Sequence, residues 1–432
     1  MKLFPILCLL IVGMMGSARA QSPAMPDSLC AQLDMLARFY QEKPSGLFWY
    51  ASTPGALALR RALRAAIDSA GVDGLQTDDY MPGNLVFADT IAAGTTDSER
   101  LKDLDREYTM AALAFGWDLF RGGEADSTVS YDGVSGRYAL RDEQEVTGSL
   151  VRVRSAEDLQ RWVAALLPSS HEYRLLRDSL TMYRWLGIAE RQVRLVQALN
   201  SYRWVHHFPF DRVIVVNIPS ADLRYYAADT LSLVMRIVAG QPSRRTPRFA
   251  VWCDGLVLYP YWNVPRKIAV RELLPVFKLA PEVARQMELQ VVDGAGRVLD
   301  PAKIKWTAYT SQNFPYGIRQ APGCLNALGV IKFNLTDPYD VYMHDTNLKK
   351  IFASSYRYYS HGCIRLERPI ELGKALLPDR LDTAYLLSCY RDQQPVSVPL
   401  PKPVPVFVLY NTVGLDGEGR LAWFKDVYRL GE

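Results

Sequence analysis

Residues Val341–Pro369 read VYMHDTNLKKIFASSYRYYSHGCIRLERP and hold two of the chain's five histidines, His344 and His361, and one of its six cysteines, Cys363. An apolar, strand-like run, Asp340-Val341-Tyr342-Met343, leads into His344, nineteen residues before Cys363 (363 − 344 = 19). A cysteine nucleophile needs a thiolate, a base that takes its proton, and N–H donors aimed at the developing oxyanion. The segment can supply all three. Residues two apart on an extended chain share a face, so His361, Cys363 and Arg365 point the same way, and positive neighbours favour thiolate. Gly362 permits close approach, which makes the Gly362 and Cys363 amides candidate oxyanion donors. The plainer reading, a buried cysteine used as a small apolar residue, fits poorly with Ser360, His361 and Arg365 around it. A zinc set of His344, His361, Cys363 and Cys324 would have suitable N and S ligands. Neither C-x-x-C nor H-E-x-x-H spacing is present, so no metal is expected.

The order His344, a long spacer, then Ser360-His361-Gly362-Cys363-Ile364-Arg365 resembles the signature of the L,D-transpeptidase (YkuD-type) catalytic domain. The flanks Pro260-Tyr261-Trp262-Asn263-Val264-Pro265, Asn326-Ala327-Leu328-Gly329 and Asp337-Pro338-Tyr339 add to the likeness, which is to the large form with a helical scaffold and a capping insertion. The resemblance implies Cys363 as nucleophile and His344 as base, oriented by the main-chain carbonyl of Asp345. It gives His361, Gly362 and Ser360 supporting roles and Arg365 a hold on substrate. Tyr342, Tyr261 and Trp262 are expected near the cleft. It further implies peptidoglycan stem peptides as substrate, 3→3 cross-linking through a thioester, acylation by β-lactams such as carbapenems, and no cofactor. The alternatives are an L,D-carboxypeptidase using water, or a wall-binding scaffold whose site has decayed. Relatives often carry a three-helix glycan-binding module ahead of the catalytic domain. Here Leu186-Gly187 passes straight to Glu190-Arg191, which leaves no room for it.

A length of 432 residues predicts two or three domains, and 49% hydrophobic with 22% charged residues is globular composition. Lys2, the apolar run 3–15 and Ala18-Arg19-Ala20 read as a secretory signal peptide, with the periplasm as the expected location. Its removal takes away two cations and lowers the net charge from +4 to +2, so no nucleic-acid partner is implied. Five cysteines remain, Cys30, Cys253, Cys324, Cys363 and Cys389, and an odd number in an oxidising compartment leaves one thiol unpaired, with Cys363 the natural candidate.

The expected class is α+β: a helical scaffold domain over 21–205 and a β-rich catalytic domain over 206–432, with a lid-like insertion at about 265–323. Helical spacing predicts a helix over 56–70 stopped by Gly71, and a long one from the Thr96–Glu99 cap to Phe120 ended by Gly122. Residues 123–154 read as loop. A helix capped by Ser155 and further helices over 171–185 and 189–202 follow. From Arg212 the period changes to two. Strands are predicted over 212–218, 223–226, 231–238, 249–259, 330–335 and 341–344, and a closing hairpin over 404–423. Residues 310–323 read as a turn-rich stretch of the insertion. His171, His206 and His207 are read as structural.

Overall fold

A computed structural model describes residues 27–431 except 44–45, 54, 82–84, 86, 123–138, 229, 337–338, 379 and 389–392. The expected signal peptide and Cys389 lie outside these residues. The chain packs into two compact units: a helical one of the described residues up to 209 with 411–424, and a β-rich one of 210–410 with 425–431.

In the helical unit, the long helix Ser98–Arg121 begins where the Asp97 carboxylate accepts the Glu99 N–H at 2.9 Å and ends at Gly122, whose φ of +78° suits glycine. Its buried face carries Leu104, Tyr108 and Phe115, which share one buried cluster with Leu59, Leu63 and Ile67 of helix Gly55–Asp68. Three points differ from the sequence reading. The stop after Asp68 is Gly74, reached through a 3₁₀ turn, because Gly74 rather than Gly71 takes the left-handed conformation. Part of the stretch read as loop, Ala139–Val151, is a helix that buries Val146 and Leu150. The hairpin Val413–Trp423 leaves the β-rich unit, because Val413, Leu421 and Trp423 pack on the helices Ala189–His206 and His171–Trp185. The helix over 156–165 starts with the full Ser155/Asp158 capping box.

The β-rich unit is built on β1 (Arg212–Asn217), β2 (Asp222–Ala227), β3 (Thr230–Gly240), β4 (Phe249–Leu258), β9 (Ile331–Leu335), β10 (Met343–His344), β12 (Ile364–Leu366) and β13 (Val396–Leu409). Hydrogen bonding runs β3-β12-β10-β9-β4-β13-β1-β2 and returns from β2 to β3, which closes the sheet and removes its open edges. β11 (Tyr358–Ser360) adds in parallel to the end of β3. Alternation sends one face of each strand inward: Ile214, Val216, Leu256, Phe333, Met343 and Ile364 form one buried cluster. At about 25 cal/mol per Å² of apolar surface, such a core is the main stabilising term for the unit. The prolines of β13 interrupt its ladder with β4 between Pro399 and Val404, since proline has no N–H to donate.

The insertion has its own small sheet in the order β5 (Trp262–Asn263), β8 (Gly317–Gln320), β6 (Leu289–Val292), β7 (Val298–Leu299). Its core holds Phe277, Trp306, Phe314 and Ile318. The stretch read as turn-rich therefore contributes a central strand, β8, held on both sides by ladders that turn residues alone do not reveal.

Candidate active site

Lys332, His344 and Arg365 are direct cross-strand neighbours: His344 stands opposite Lys332 on antiparallel β9 and opposite Arg365 on parallel β12. The same register places Met343 opposite Phe333 and Ile364, all three fully buried. Because side chains alternate, burying that row turns the other row, with Tyr342 and Cys363 beside it, to the opposite face. The Ile364 N–H donates to the Tyr342 carbonyl at 3.0 Å, and the Tyr342 hydroxyl hydrogen-bonds the Cys363 thiol. The sheet thus gathers Cys363, His344, Tyr342 and Arg365 of the residues expected from sequence, and adds Lys332.

His344 is buried, and its Nδ1 lies 2.5 Å from the carbonyl oxygen of Asp345. A carbonyl only accepts, so Nδ1 carries the proton and Nε2 is left with the lone pair. Burial pushes the imidazole's pKa down to about 3; the Arg365 and Lys332 charges act in the same direction and the Asp345 hydrogen bond opposes them. The ring is therefore neutral at neutral pH with Nε2 able to take a proton. Asp345 is fixed in turn: its carboxylate accepts the N–H of Val330 at 3.0 Å and of Thr346 at 2.7 Å, and pairs with the Lys349 ammonium. Gly329 leaves room for it, with φ at +59° and any Cβ falling on the Asp345 side chain.

Cys363 follows a tight turn. Gly362 has φ of +123°, its N–H donates to Ser360 Oγ at 3.1 Å, and that hydroxyl donates to the Cys363 carbonyl at 2.6 Å. The Gly362 amide is thus committed within the turn, which corrects its expected role as an oxyanion donor. The Gly362 carbonyl accepts from Thr246 Oγ1 at 2.7 Å, and Thr246 is held by Tyr428, whose hydroxyl accepts the Thr246 N–H at 3.1 Å and donates to the Gly240 carbonyl at 2.7 Å. Thr246 and Tyr428 support the site from far along the chain, and no local pattern marks either. Cys363 is partly exposed and outside any disulfide, with Sγ 3.9 Å from the Asp340 carbonyl. Cys253 is also outside any disulfide, but it is buried, and burial pushes its thiol up to about 12. Cys324 is disulfide-bonded.

His361 is exposed, with Nε2 3.0 Å from Glu272 Oε1, which also takes Arg244 at 2.8 Å. Partial burial pushes the Glu272 carboxyl up, but the bonds from Arg244 and His361 outweigh it and hold the group below its ordinary value. Glu367 and Glu371, possible structural partners for Arg365, are engaged instead with Arg236 and Arg368. Tyr261 lies under the Arg319 guanidinium at 4.4 Å, and Trp262 packs on the insertion's core. Neither joins the row around Cys363. Among the described residues no cluster of His, Cys, Asp and Glu is arranged for a metal, and no helix is long and apolar enough to cross a membrane. His207, in the helical unit, is buried with Nε2 3.2 Å from Asp142.

Residues 211–397 match the family model of the L,D-transpeptidase catalytic domain (YkuD), and residues 34–180 match that of the Scaffold domain. A curated protein of Haemophilus influenzae named "Putative L,D-transpeptidase" is 32% identical in an alignment of 285 residues that covers 63% of this chain. The chain spans 58% of that relative's length. Among solved structures, an L,D-transpeptidase from Mycobacterium smegmatis shares 14% identity over 46% of this chain and 58% of its own, with a TM-score of 0.24. The catalytic domain of the E. faecium L,D-transpeptidase acylated by ertapenem shares 14% over 47% and 99%, also at 0.24. The chain therefore carries a Scaffold domain followed by an L,D-transpeptidase catalytic domain of the YkuD family.

Proposed function

We propose that this protein is a peptidoglycan L,D-transpeptidase that forms 3→3 cross-links. The observation that carries the reading is a partly exposed Cys363 thiol at the start of the strand that pairs with the strand of His344, a buried imidazole whose Nδ1 is fixed by the Asp345 carbonyl. His344 Nε2 takes the thiol proton. The thiolate attacks the carbonyl that follows the L-centre of the diamino acid in a tetrapeptide stem. The C–N bond to the terminal D-alanine breaks, and His344 returns the proton to the leaving amine. The thioester is then attacked by the side-chain amine of a second stem, and the thiol is regenerated. A Tyr342 hydroxyl on the thiol helps place it for attack. The reaction asks for no metal or organic cofactor. The same thiolate would open the strained ring of a β-lactam, carbapenems included. Export to the periplasm follows from the leader-like residues 1–20.

Mass analysis of muropeptides after incubating the protein with purified sacculi tests the reading. The expected product is a 3→3 dimer with loss of D-alanine. Tripeptides alone would make the protein an L,D-carboxypeptidase, and unchanged sacculi would mean that the site does not act on stems.

A further inference from the structure

Two half-buried cations flank the base; the acid that both face is the Cys363 thiol, and neither has a carboxylate partner among the described residues. Lys332 and Arg365 stand directly opposite His344 on its two neighbouring strands. The Lys332 ammonium lies 4.4 Å from the centre of the Tyr342 ring, and no carboxylate of the described residues is within ion-pair distance of it. Arg365 has its Nε sealed from solvent without a hydrogen-bond partner. Leaving buried charges unpaired is costly. Two of them in one row, with the surrounding carboxylates of Glu367, Glu371, Asp345 and Glu272 all engaged elsewhere, form a receptor suited to an anion beside the thiol.

On the function proposed above, we infer that Lys332 and Arg365 together hold the terminal carboxylate of the acyl-donor peptide. The leaving D-amino acid carries its amine and its carboxylate on one carbon, two bonds of about 1.5 Å apart. The amine must come to His344 to be protonated. Whatever holds the carboxylate must then border His344, and these are the two cations that do. Adjacent strands lie about 4.8 Å apart, so the two backbones are about 10 Å from each other, a span that a lysine and an arginine reaching inward close onto one carboxylate. The pair would make a free α-carboxylate next to the scissile bond a requirement of the donor. It would also explain why the base is kept neutral between two cations, since a charged imidazole there would add a third like charge.

The test measures acyl-enzyme formation at Cys363 by intact mass, with a tetrapeptide stem ending in a free carboxylate and with the same stem ending in a carboxamide. Three proteins are compared: the unaltered chain, Lys332→Met and Lys332→Arg. The unaltered chain should prefer the acid. Lys332→Met should lose roughly 10- to 100-fold of that preference, the scale of one charge-assisted contact, with Lys332→Arg restoring most of it. Alkylation of Cys363 by iodoacetamide, which carries no charge, reports on the thiol in each folded variant. An unaltered chain that acylates acid and amide equally overturns the receptor. So does Lys332→Met slowing both donors and iodoacetamide by one common factor, since Lys332 would then only support the thiolate. If the unaltered chain is acylated by neither stem while iodoacetamide still reacts, the proposed function fails, and the receptor that rests on it falls too.

Discussion

The imidazole of His361 lies 3.0 Å from the carboxylate of Glu272, which ties the residue two before the nucleophile to the helical part of the insertion. The same carboxylate takes Arg244, from the loop that also supplies Thr246 beneath Gly362. The contact gives His361 a partner other than the thiol, and on the proposed function proton transfer is left to His344.

The two histidines should therefore separate on substitution. His344→Ala removes a positioned base and should cost about 10²–10⁴-fold in the rate of Cys363 acylation. His361→Ala breaks an exposed contact with Glu272, worth at most about 1 kcal/mol, and should cost less than about 10-fold. The rates are read by stopped-flow acylation with a chromogenic β-lactam. A reversed ranking would move the base to His361.

Among the described residues, the two thiols outside disulfides should separate as sharply. Cys363 is reachable and should label with iodoacetamide in the native protein near neutral pH. Cys253 is fully buried with its thiol pushed up to about 12, so it should label only after unfolding. Peptide mapping of native and urea-treated samples gives the answer. Native labelling of Cys253 would contradict its burial.

The fold was legible wherever period or caps decide it. The Thr96–Glu99 start, the Ser155 box and the change to period two at Arg212 all appear in the structure where the residues place them. The nucleophile turn was legible because its residues are consecutive. Lys332, Thr246 and Tyr428 were not, because what brings them to Cys363 is strand register and hydroxyl bonding over long separations. β8 was missed for a related reason: Gly317–Gln320 has a weak strand pattern of its own and is fixed by partners on both sides.

Gly329 should tolerate no side chain. Its φ of +59° costs a non-glycine residue about 1–3 kcal/mol. A Cβ would also sit 2.2 Å from the nearest carboxylate oxygen of Asp345. Gly329→Ala should lower the urea midpoint and slow acylation together, because Asp345 bears the carbonyl that orients His344. Lost stability with unchanged acylation would show that the Asp345 main chain holds its place without its side chain.

His344 should also make the protein acid-sensitive. Its pKa is about 3 in the folded state against roughly 6.5 unfolded, so between these values the unfolded chain binds the extra proton. Stability is then lost as pH falls from about 6.5 towards about 3, with no contribution to the slope above that range. Relative to His344→Gln, the native protein should lose up to about 1.4 kcal/mol more per pH unit across that window. Urea unfolding of both proteins at a series of pH values isolates the difference, since the carboxylates are common to both. Parallel curves would mean that His344 is protonated in the fold.

A thioester exposed to water hydrolyses, and one from which water is excluded can wait for an amine. The insertion is joined to the nucleophile turn through Glu272, and its own core is organised by Trp306, which is buried against Phe277 at 4.9 Å and donates its indole N–H to the Pro301 carbonyl at 2.8 Å. Excising residues 313–320 would delete β8 and with it the ladders to β5 and β6, so a substitution is the cleaner probe. Trp306→Ala opens a large cavity and should cost the insertion about 3–5 kcal/mol, enough to loosen it while the closed sheet beneath keeps its own core. Cross-linking should then fall more than acylation does, because Cys363, His344 and Asp345 all lie outside the insertion. The measurement is the dimer-to-tripeptide ratio from one batch of tetrapeptide, alongside the yield of acyl-enzyme. An unchanged ratio in a variant whose insertion has become protease-sensitive would mean that the insertion does not govern the choice between amine and water.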